Sequence, residues 1–340
     1  MKFNTLSLSL SLVTSTFAGD FLSAPLPTQT RADSHAPIGV MGDHIHKKGG
    51  FMASCRYQFM RMEQNFLGTS AISDTAVQGL GYGIVPSDMD MQMHMVGLMY
   101  APSDSVTLMA MVNFVEMSMN HRFGPGLPGQ FKTKASGIGD SSITALIKLR
   151  ETKTSKLHAG IGLLLPTAET EETDFIPQAG GVQRLPYPMQ LGAGSWGLLP
   201  SLTYNFHQDT WSFGAQTKGT IMLNDNSEGY QLGDRFEATA WIAKPLGEQF
   251  STSLRATFSK WGNISGSDAL IMGPVPTPVP TTRTDLRGGS KFDLSLGVNF
   301  YETNSGVRAA AEIGKTLWQD LDGPQLGSDY WVTFGLQYAW

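Results

Sequence analysis

The stretch DYWVTFGLQYAW, Asp329–Trp340, decides the fold. Large apolar or aromatic side chains occupy every second position, namely Tyr330, Val332, Phe334, Leu336, Tyr338 and Trp340. Successive side chains of a β-strand point to opposite faces, so this stretch predicts a strand with one apolar face. A soluble antiparallel sheet could show the same alternation. Aromatic residues at both ends of the apolar face favour a strand that crosses a bilayer, because aromatic side chains anchor at its two interfaces.

The same alternation recurs upstream, in Phe250–Phe258, Lys291–Phe300 and Gly306–Lys315. The second face of these segments is polar, with Lys291 and Asp293 as examples, and such a face suits a water-filled lumen better than a dry core. We therefore predict an all-β fold, a single antiparallel transmembrane β-barrel of about twelve strands, with ten or fourteen as alternatives. The strands are expected near residues 50–62, 90–100, 105–117, 138–149, 156–165, 195–206, 210–222, 230–243, 249–261, 290–301, 306–316 and 329–340.

The predicted connections alternate between long and short. Residues 63–89, 118–137 and 262–289 are long, whereas residues 101–104 and 302–306 are short. Outer-membrane barrels have short periplasmic turns and longer extracellular loops, which this alternation matches. An even number of strands returns the chain to its starting side, so both termini are expected in the periplasm.

Composition supports a barrel. Charged residues make up 16% of the 340 residues, below the roughly 25% of soluble domains. Hydrophobic residues reach 41%, but no run of about 18 apolar residues follows the N-terminus, which excludes a helical membrane protein. The net charge of −5 and the lack of a basic block make nucleic acid an unexpected partner. Cys55 is the only cysteine, so no internal disulfide can form.

The N-terminus predicts a signal peptide over residues 1–18, with Lys2 before the apolar stretch Leu6–Val13 and a small-residue cleavage site ending at Ala18. The alternation of LSLSLSL leaves an N-terminal strand as the alternative. Residues 19–49 are expected to form an N-terminal periplasmic or plug segment, and residues 50–340 the barrel. The expected location is the outer membrane of a Gram-negative bacterium. The expected partners are outer-membrane lipid and the barrel-assembly machinery, whose recognition signal the C-terminal aromatic strand resembles.

Methionine is concentrated in the first predicted strands: twelve of the 17 lie between Met52 and Met119. In the second of these strands, the alternation allows two orientations. Either Val96 faces lipid and the methionines face the lumen, or the methionines face lipid and Val96 faces the lumen together with Asp90. The first alternative places the following methionines in the lumen: Met52, Met60, Met62, Met91, Met93, Met95, Met109, Met111 and Met117. Three interpretations stay open. The methionines could pack against a lumenal plug, line a pathway for small apolar or aromatic solutes, or bind a soft metal ion such as Cu(I).

The segment HAPIGVMGDHIHKKGG, His35–Gly50, precedes the first strand. Imidazole and thioether groups bind transition metals, so His35, Met41, His44 and His46 are candidate ligands. The alternative is a solvated periplasmic tether.

Three stretches resemble a known family. They are HAPIGVMGDHIHKKGGFMASCRYQFMRM (residues 35–62), PSDMDMQMHMVGLMYAPSDSVTLMAMVNF (86–114) and SGIGDSSITALIKL (136–149). They are similar to the meta-pathway phenol-degradation family of outer-membrane β-barrel proteins, over roughly residues 35–165. The resemblance implies a transporter-like barrel related to channels for hydrophobic compounds. It brings no catalytic residues.

The sequence contains none of three common enzyme motifs: a Gly-x-Ser-x-Gly elbow, a glycine-rich phosphate loop or an HExxH motif. His121 and His207 fall in predicted loops. We expect no enzyme and no cofactor. The predicted function is a porin-like outer-membrane channel or transporter for small apolar or aromatic solutes, and the alternative is a protein that binds or handles a soft metal such as copper.

Overall fold

The computed structural model describes residues 31–124, 129–271, 279–303 and 305–340, so the predicted signal peptide lies outside the described residues. The strands in chain order are β1 (Phe51–Gly68), β2 (Ser70–Ile72), β3 (Ile84–Ser103), β4 (Val106–Phe123), β5 (Gln130–Ile138), β6 (Ser141–Glu151), β7 (Ser155–Leu165), β8 (Thr173–Ile176), β9 (Gly181–Arg184), β10 (Gly197–His207), β11 (Ser212–Met222), β12 (Tyr230–Gln231), β13 (Arg235–Leu246), β14 (Phe250–Trp261), β15 (Ser265–Gly266), β16 (Gly289–Tyr301) and β17 (Val307–Ala339). In the described parts of the chain, the connections contain one α-helix, α1 (Asp74–Gly79), and four 3₁₀ turns: Pro177–Ala179, Tyr187–Met189, Pro280–Thr282 and Thr284–Leu286.

Eleven strands close into one antiparallel barrel, in the order β17–β16–β14–β13–β11–β10–β7–β6–β4–β3–β1 and back to β17. At the closure Met52 of β1 lies opposite Ala339 of β17. The Phe51 and Trp340 backbones exchange two hydrogen bonds of 2.9 and 3.0 Å. A closed sheet has no unpaired edge, which is the condition for a sheet to lie in lipid. The predicted single antiparallel barrel is confirmed.

Strand β17 contains two passes of the chain. Its first arm runs antiparallel to β16, with Arg308 opposite Tyr301, and its second arm runs antiparallel to β1. The arms lie side by side, because Lys315 Nζ is 3.4 Å from Asp329 Oδ1. Strands β5 and β6 both run along β4 and together form one pass. Counting the arms of β17 separately, the eleven strands give twelve passes, the predicted number.

The outer surface is an apolar belt and the inner surface is largely polar. In β16, Leu296 is 59% exposed while its neighbour Ser295 is 4% exposed. Rings collect where the short turns lie: Phe51 is 4.5 Å from Tyr100 and 5.7 Å from Trp340 between ring centroids. Period-two alternation produces both surfaces, since each strand presents one face to each side. Among the described residues, no helix is long and apolar enough to cross a membrane.

The turns that follow β3, β6, β10, β13 and β16 are short and lie at one end of the barrel, here called the short-turn end. The longer connections, between β1 and β3, β7 and β10, β11 and β13, and β14 and β16, lie at the other, the long-loop end. Several strands are longer than predicted at the long-loop end. Strand β3 begins at Ile84 and β4 continues to Phe123, so the prediction of a loop over 118–137 is wrong, and His121 is a buried strand residue. Alternation toward lipid stops where the bilayer would end, but backbone pairing continues beyond it. The apolar pattern therefore underestimates strand length.

Cys55 offers a test of which face meets lipid. Its side chain is exposed, and it pairs with Val96 and Leu336 on the apolar belt. In lipid vesicles we expect Cys55 to react with an apolar maleimide and to be protected from a charged, impermeant one. A Cys55→Ser chain carrying Lys153→Cys in an exposed short turn should react with both reagents. Equal labelling of Cys55 by the charged reagent would place this face in water.

Candidate functional site

Residues 31–50, here called the plug, form an irregular segment inside the short-turn half of the barrel. Ile38 and Val40 of the plug are 4% and 3% exposed. Buried irregular backbone needs hydrogen-bond partners, and the inward-facing side chains of the wall supply them. Wall groups donate to plug carbonyls from Asn205 Nδ2 to Asp43 (2.7 Å), His158 Nε2 to Gly42 (2.8 Å), Gln216 Nε2 to Met41 (2.9 Å) and Ser212 Oγ to Asp33 (3.2 Å). The segment is therefore held by the wall rather than solvated as a free tether.

Glu312 of β17 is a fully buried charged contact between wall and plug. Its carboxylate accepts hydrogen bonds from Arg255 Nε at 2.7 Å, from Ser295 Oγ at 2.6 Å and from the Gly39 backbone N–H of the plug at 2.8 Å. Arg255 also donates to Thr257 Oγ1 at 2.9 Å. The polar side chains on the inner faces of the strands thus form hydrogen bonds both to the plug and to one another.

The methionines line much of the inner face of β1, β3 and β4, here called the methionine wall. In strand register, Met62, Met89 and Met119 form one row. Two further rows are Met60–Met91–Met117 and Met52–Met99–Met109. The three rows between these two hold one methionine each, beside Gln58, Arg56, Asn113 and Ser54 among others. Exposed residues that alternate with them are Cys55, Val96, Leu98, Val112 and Phe114. The alternative with Val96 toward lipid is therefore the observed one, and all nine predicted methionines lie on inward faces.

The connection between β7 and β10, residues 166–196, folds onto the methionine wall at the long-loop end and is here called the cap. Leu185 and Met189 of the cap are fully buried, and Leu191 is 6% exposed. They form one apolar cluster with wall residues that include Met117 and Met119. At the other end of the wall, Ile45 of the plug packs against the cluster that holds Met52, Met99 and Leu146. Both ends of the methionine wall thus pack against inserted segments, as one of the three interpretations predicted.

The methionines differ in how much of their surface these segments cover. Met89, Met95, Met99, Met111, Met117 and Met119 are buried, as is Met52. Met60, Met62, Met91, Met93 and Met109 are only partly buried. The partly buried side chains keep apolar surface available inside the barrel.

Three plug histidines and one aspartate gather at the short-turn end. His44 Nδ1 lies 2.8 Å from Asp43 Oδ1, and His44 Nε2 lies 3.2 Å from His46 Nε2. The ring centroids of His35 and His44 are 4.0 Å apart. Met41, the other predicted ligand, lies in the same segment, and its backbone carbonyl accepts the hydrogen bond from Gln216.

Burial sets the protonation of this cluster. Burial lowers the pKa of His46 to about 3 and holds the pKa of His35 well below its usual value. For Asp43 burial acts in the opposite direction, but the charge and hydrogen bond of His44 outweigh it and hold the pKa of Asp43 below its usual range. His35 and His46 are therefore neutral near pH 7, and a neutral imidazole keeps one nitrogen lone pair free to bind a ligand.

Some site residues were not predicted from the sequence. The cap falls between the predicted strands 156–165 and 195–206, and the strand pattern therefore predicts only a long connection there. Four large apolar residues lie within it: Ile176, Leu185, Met189 and Leu191. A long surface loop does not need such residues, so their presence was a usable sign of burial. The Arg255–Glu312 pair had no such sign, because both residues simply occupy inward positions of alternating strands.

Comparisons with known proteins agree with the barrel. The model of the family described as "Putative MetA-pathway of phenol degradation" matches residues 74–268. The COG4313 outer membrane channel from Pseudomonas putida F1 has the same fold, with a TM-score of 0.60 and 14% identity, covering 88% of this chain and 99% of that chain. No curated protein sequence matches the chain.

Two further solved structures are less similar. A Pseudomonas aeruginosa FadL homologue gives a TM-score of 0.41 with 11% identity, covering 93% of this chain and 98% of that one. The Pseudomonas putida toluene transporter TodX gives 0.38 with 12% identity, covering 86% and 89%. Both scores lie below 0.5 and add nothing to the assignment of the fold.

Proposed function

Since the chain belongs to this phenol-degradation family, whose model matches more than half of its 340 residues, we propose that it is an outer-membrane channel for small apolar or aromatic solutes. The observation that carries the proposal is the methionine wall, which runs along three adjacent strands inside a barrel. The proposed location is the outer membrane of a Gram-negative bacterium, with the short-turn end in the periplasm. Two observations support it: the apolar belt, and the placement of every longer connection at the end opposite the short-turn end.

Methionine suits this task for a chemical reason. Its side chain is unbranched and polarizable, adapts to ligands of different shape and makes favourable contacts with aromatic rings. The partly buried Met60, Met62, Met91 and Met93 lie in three adjacent rows, and the last three of them pack against the cluster that includes the cap. A small ring that enters there would replace cap contacts with contacts of the same apolar kind. The family description names phenol degradation, and a phenol is a solute of this class.

A second part of the wall, on β14, β16 and the first arm of β17, would limit how a solute passes. It carries Arg255 and Glu312 in a 2.7 Å pair, and Lys291 with Asp293 at 3.0 Å. A barrel with one apolar and one polar wall suits amphiphilic solutes, because a ring can follow the methionines while a hydroxyl or carboxylate follows the polar side. We infer that the cap must move during passage, since it covers the long-loop end of the methionine wall.

The methionine wall can be tested by a change from apolar to polar side chains of similar length. In a chain with Met60, Met62, Met91 and Met93 changed to glutamine, we expect vesicle uptake of benzenesulfonate to fall relative to methanesulfonate. Both anions stay ionised, so neither crosses lipid unaided. The expected fall in the ratio is about fivefold to thirtyfold, which corresponds to one or two ring contacts of roughly 1 kcal/mol each.

Met222→Gln provides the matched control, because Met222 lies opposite Gly197 on strands away from the methionine wall. This variant should keep the wild-type uptake ratio. Each barrel should first be shown to be folded, by its heat-modifiable mobility in gels. An unchanged ratio in the folded quadruple variant would contradict a role of these methionines in solute passage.

A further inference from the structure

The plug collects imidazole groups where a water-accessible cavity begins. A cavity of about 770 Å³ opens at the short-turn end, and His35, His44 and His46 line it together with Met52 and His158. His158 is engaged, because its Nε2 donates to the Gly42 carbonyl at 2.8 Å. Among the described contacts, the imidazole rings of the three plug histidines make no hydrogen bond to the wall, although the His46 backbone N–H donates to Thr107 Oγ1 at 3.0 Å. The cavity therefore extends from the short-turn end to the edge of this cluster.

The distances between these groups match those of ligands that share one ion. Two nitrogens bound to a tetrahedral ion at about 2.0–2.1 Å lie roughly 3.3 Å apart, and His44 Nε2 and His46 Nε2 are 3.2 Å apart. Asp43 accepts a hydrogen bond from the His44 Nδ1–H at 2.8 Å, which leaves the His44 Nε2 lone pair available to bind the ion. A carboxylate behind the imidazole is the usual arrangement around protein metal sites, since it fixes the tautomer and raises ligand basicity.

His35 is the independent observation. It packs 4.0 Å from the His44 ring, and its Nδ1 is buried without a hydrogen-bond partner. A hydrogen bond between His44 and His46, without any ion, would account for the short distance between those two rings only. It would leave the His35 nitrogen unsatisfied, and an unsatisfied buried polar atom costs about 1–3 kcal/mol. Ligand atoms of His35, Asp43 and His44 all lie within 4.8 Å of one another. His46 joins this group through His44, since the two Nε2 atoms are 3.2 Å apart, so an ion bound beside His44 could satisfy His35 as well.

We propose that the plug holds one divalent transition-metal ion, Cu²⁺ or Zn²⁺, bound by His35, His44 and His46 and with Asp43 orienting His44. Imidazole groups are suitable ligands for these two ions. A fourth position would face the cavity and could be taken by water. All three ligands belong to the plug, so the ion would join Ala36–Asp43 into a closed loop. The site does not depend on solute passage along the methionine wall.

The test uses the full-length barrel, purified without a polyhistidine tag, and titrates it with CuSO₄ or ZnCl₂ alone. Isothermal calorimetry should show one ion bound per barrel. Electron paramagnetic resonance of the Cu²⁺ form should show hyperfine structure from several nitrogens. We expect His44→Gln or His46→Gln to abolish the nitrogen signature. Asp43→Asn should keep the ligands but weaken binding by about 10- to 100-fold.

His94→Gln is the matched control. His94 lies on the outer face, where it is 3.8 Å from Glu116, and this exposed pair could bind metal adventitiously. The proposal requires that His94→Gln leave the binding constant and the spectrum unchanged. It is overturned if His94→Gln removes the bound ion, if the plug variants bind as the wild type does, or if the folded wild type binds no ion. Asp43→Asn retains all three imidazoles, so weaker metal binding by this variant would reflect the lost carboxylate. Release of the plug would be detected separately, as increased protease sensitivity at Lys47 and Lys48.

Discussion

Aspartate at Leu185 and Leu191 is expected to open the long-loop end of the barrel. Both leucines are buried in the apolar cluster between the cap and the methionine wall. An unpaired carboxylate there would cost several kcal/mol, so the cap should move to water instead. Single-channel conductance in planar bilayers should increase several-fold, and uptake of uncharged polar solutes should rise with it.

A matched control exists in the same connection. Phe175 and Val182 belong to the cap but are 54% and 65% exposed. Aspartate at both should leave the conductance unchanged, because a carboxylate at those positions stays hydrated. Equal conductance of the two double variants, with both barrels folded, would show that the cap does not close the pathway.

For the Leu185→Asp, Leu191→Asp barrel we also expect the conductance to depend on pH, in a direction that the chemistry of the carboxyl group determines. Protonation removes the charge that keeps the cap out of the apolar cluster, and burial favours the neutral acid. Conductance of the Leu185→Asp, Leu191→Asp barrel should therefore fall back toward the wild-type value as the pH is lowered through the range of the carboxyl groups. The wild-type barrel, which has leucines at these positions, should not show this component.

Glu312→Ala is expected to destabilise the barrel and release the plug. The change leaves the buried Arg255 guanidinium without its counter-ion and the Gly39 N–H without its acceptor. Removal of one partner from a buried ion pair costs about 3–5 kcal/mol. The free energy of unfolding, measured in urea from the folded and unfolded gel bands, should fall by this amount. Trypsin should then cut at Lys47 and Lys48.

Two further variants distinguish the contribution of the buried ion pair to stability from that of an exposed ion pair. Glu63 is half exposed and pairs with Arg61 at 3.3 Å, so Glu63→Ala should cost about 1 kcal/mol or less. The double variant Arg255→Met, Glu312→Leu removes both charges and should recover most of the stability lost in Glu312→Ala. If Glu312→Ala proves as stable as Glu63→Ala, the buried pair is not a structural anchor.

Alternation along the sequence determined the barrel and the orientation of its side chains. In β16 the outward Leu296 and the inward Ser295 could be assigned before any fold was known, because the direction of a strand side chain depends only on odd or even position. In β3 this rule was ambiguous, since Met95 and Val96 are both apolar. The tertiary structure decided the matter: Val96 lies beside Cys55 and Val112, which both face outward.

The contents of the lumen were decided only by the tertiary structure. Gly39 meets Glu312 across 273 positions of the chain, and neither residue belongs to a local pattern that predicts the other. Leu185 meets the methionine wall only after the sheet has closed. His35 meets His44 because the plug reverses direction, with the Val40 N–H bonded to the Pro37 carbonyl at 2.9 Å. Periodicity is a property of neighbouring residues and therefore specifies the wall, whereas the plug, the cap and the histidine cluster depend on contacts that exist only once the barrel encloses them.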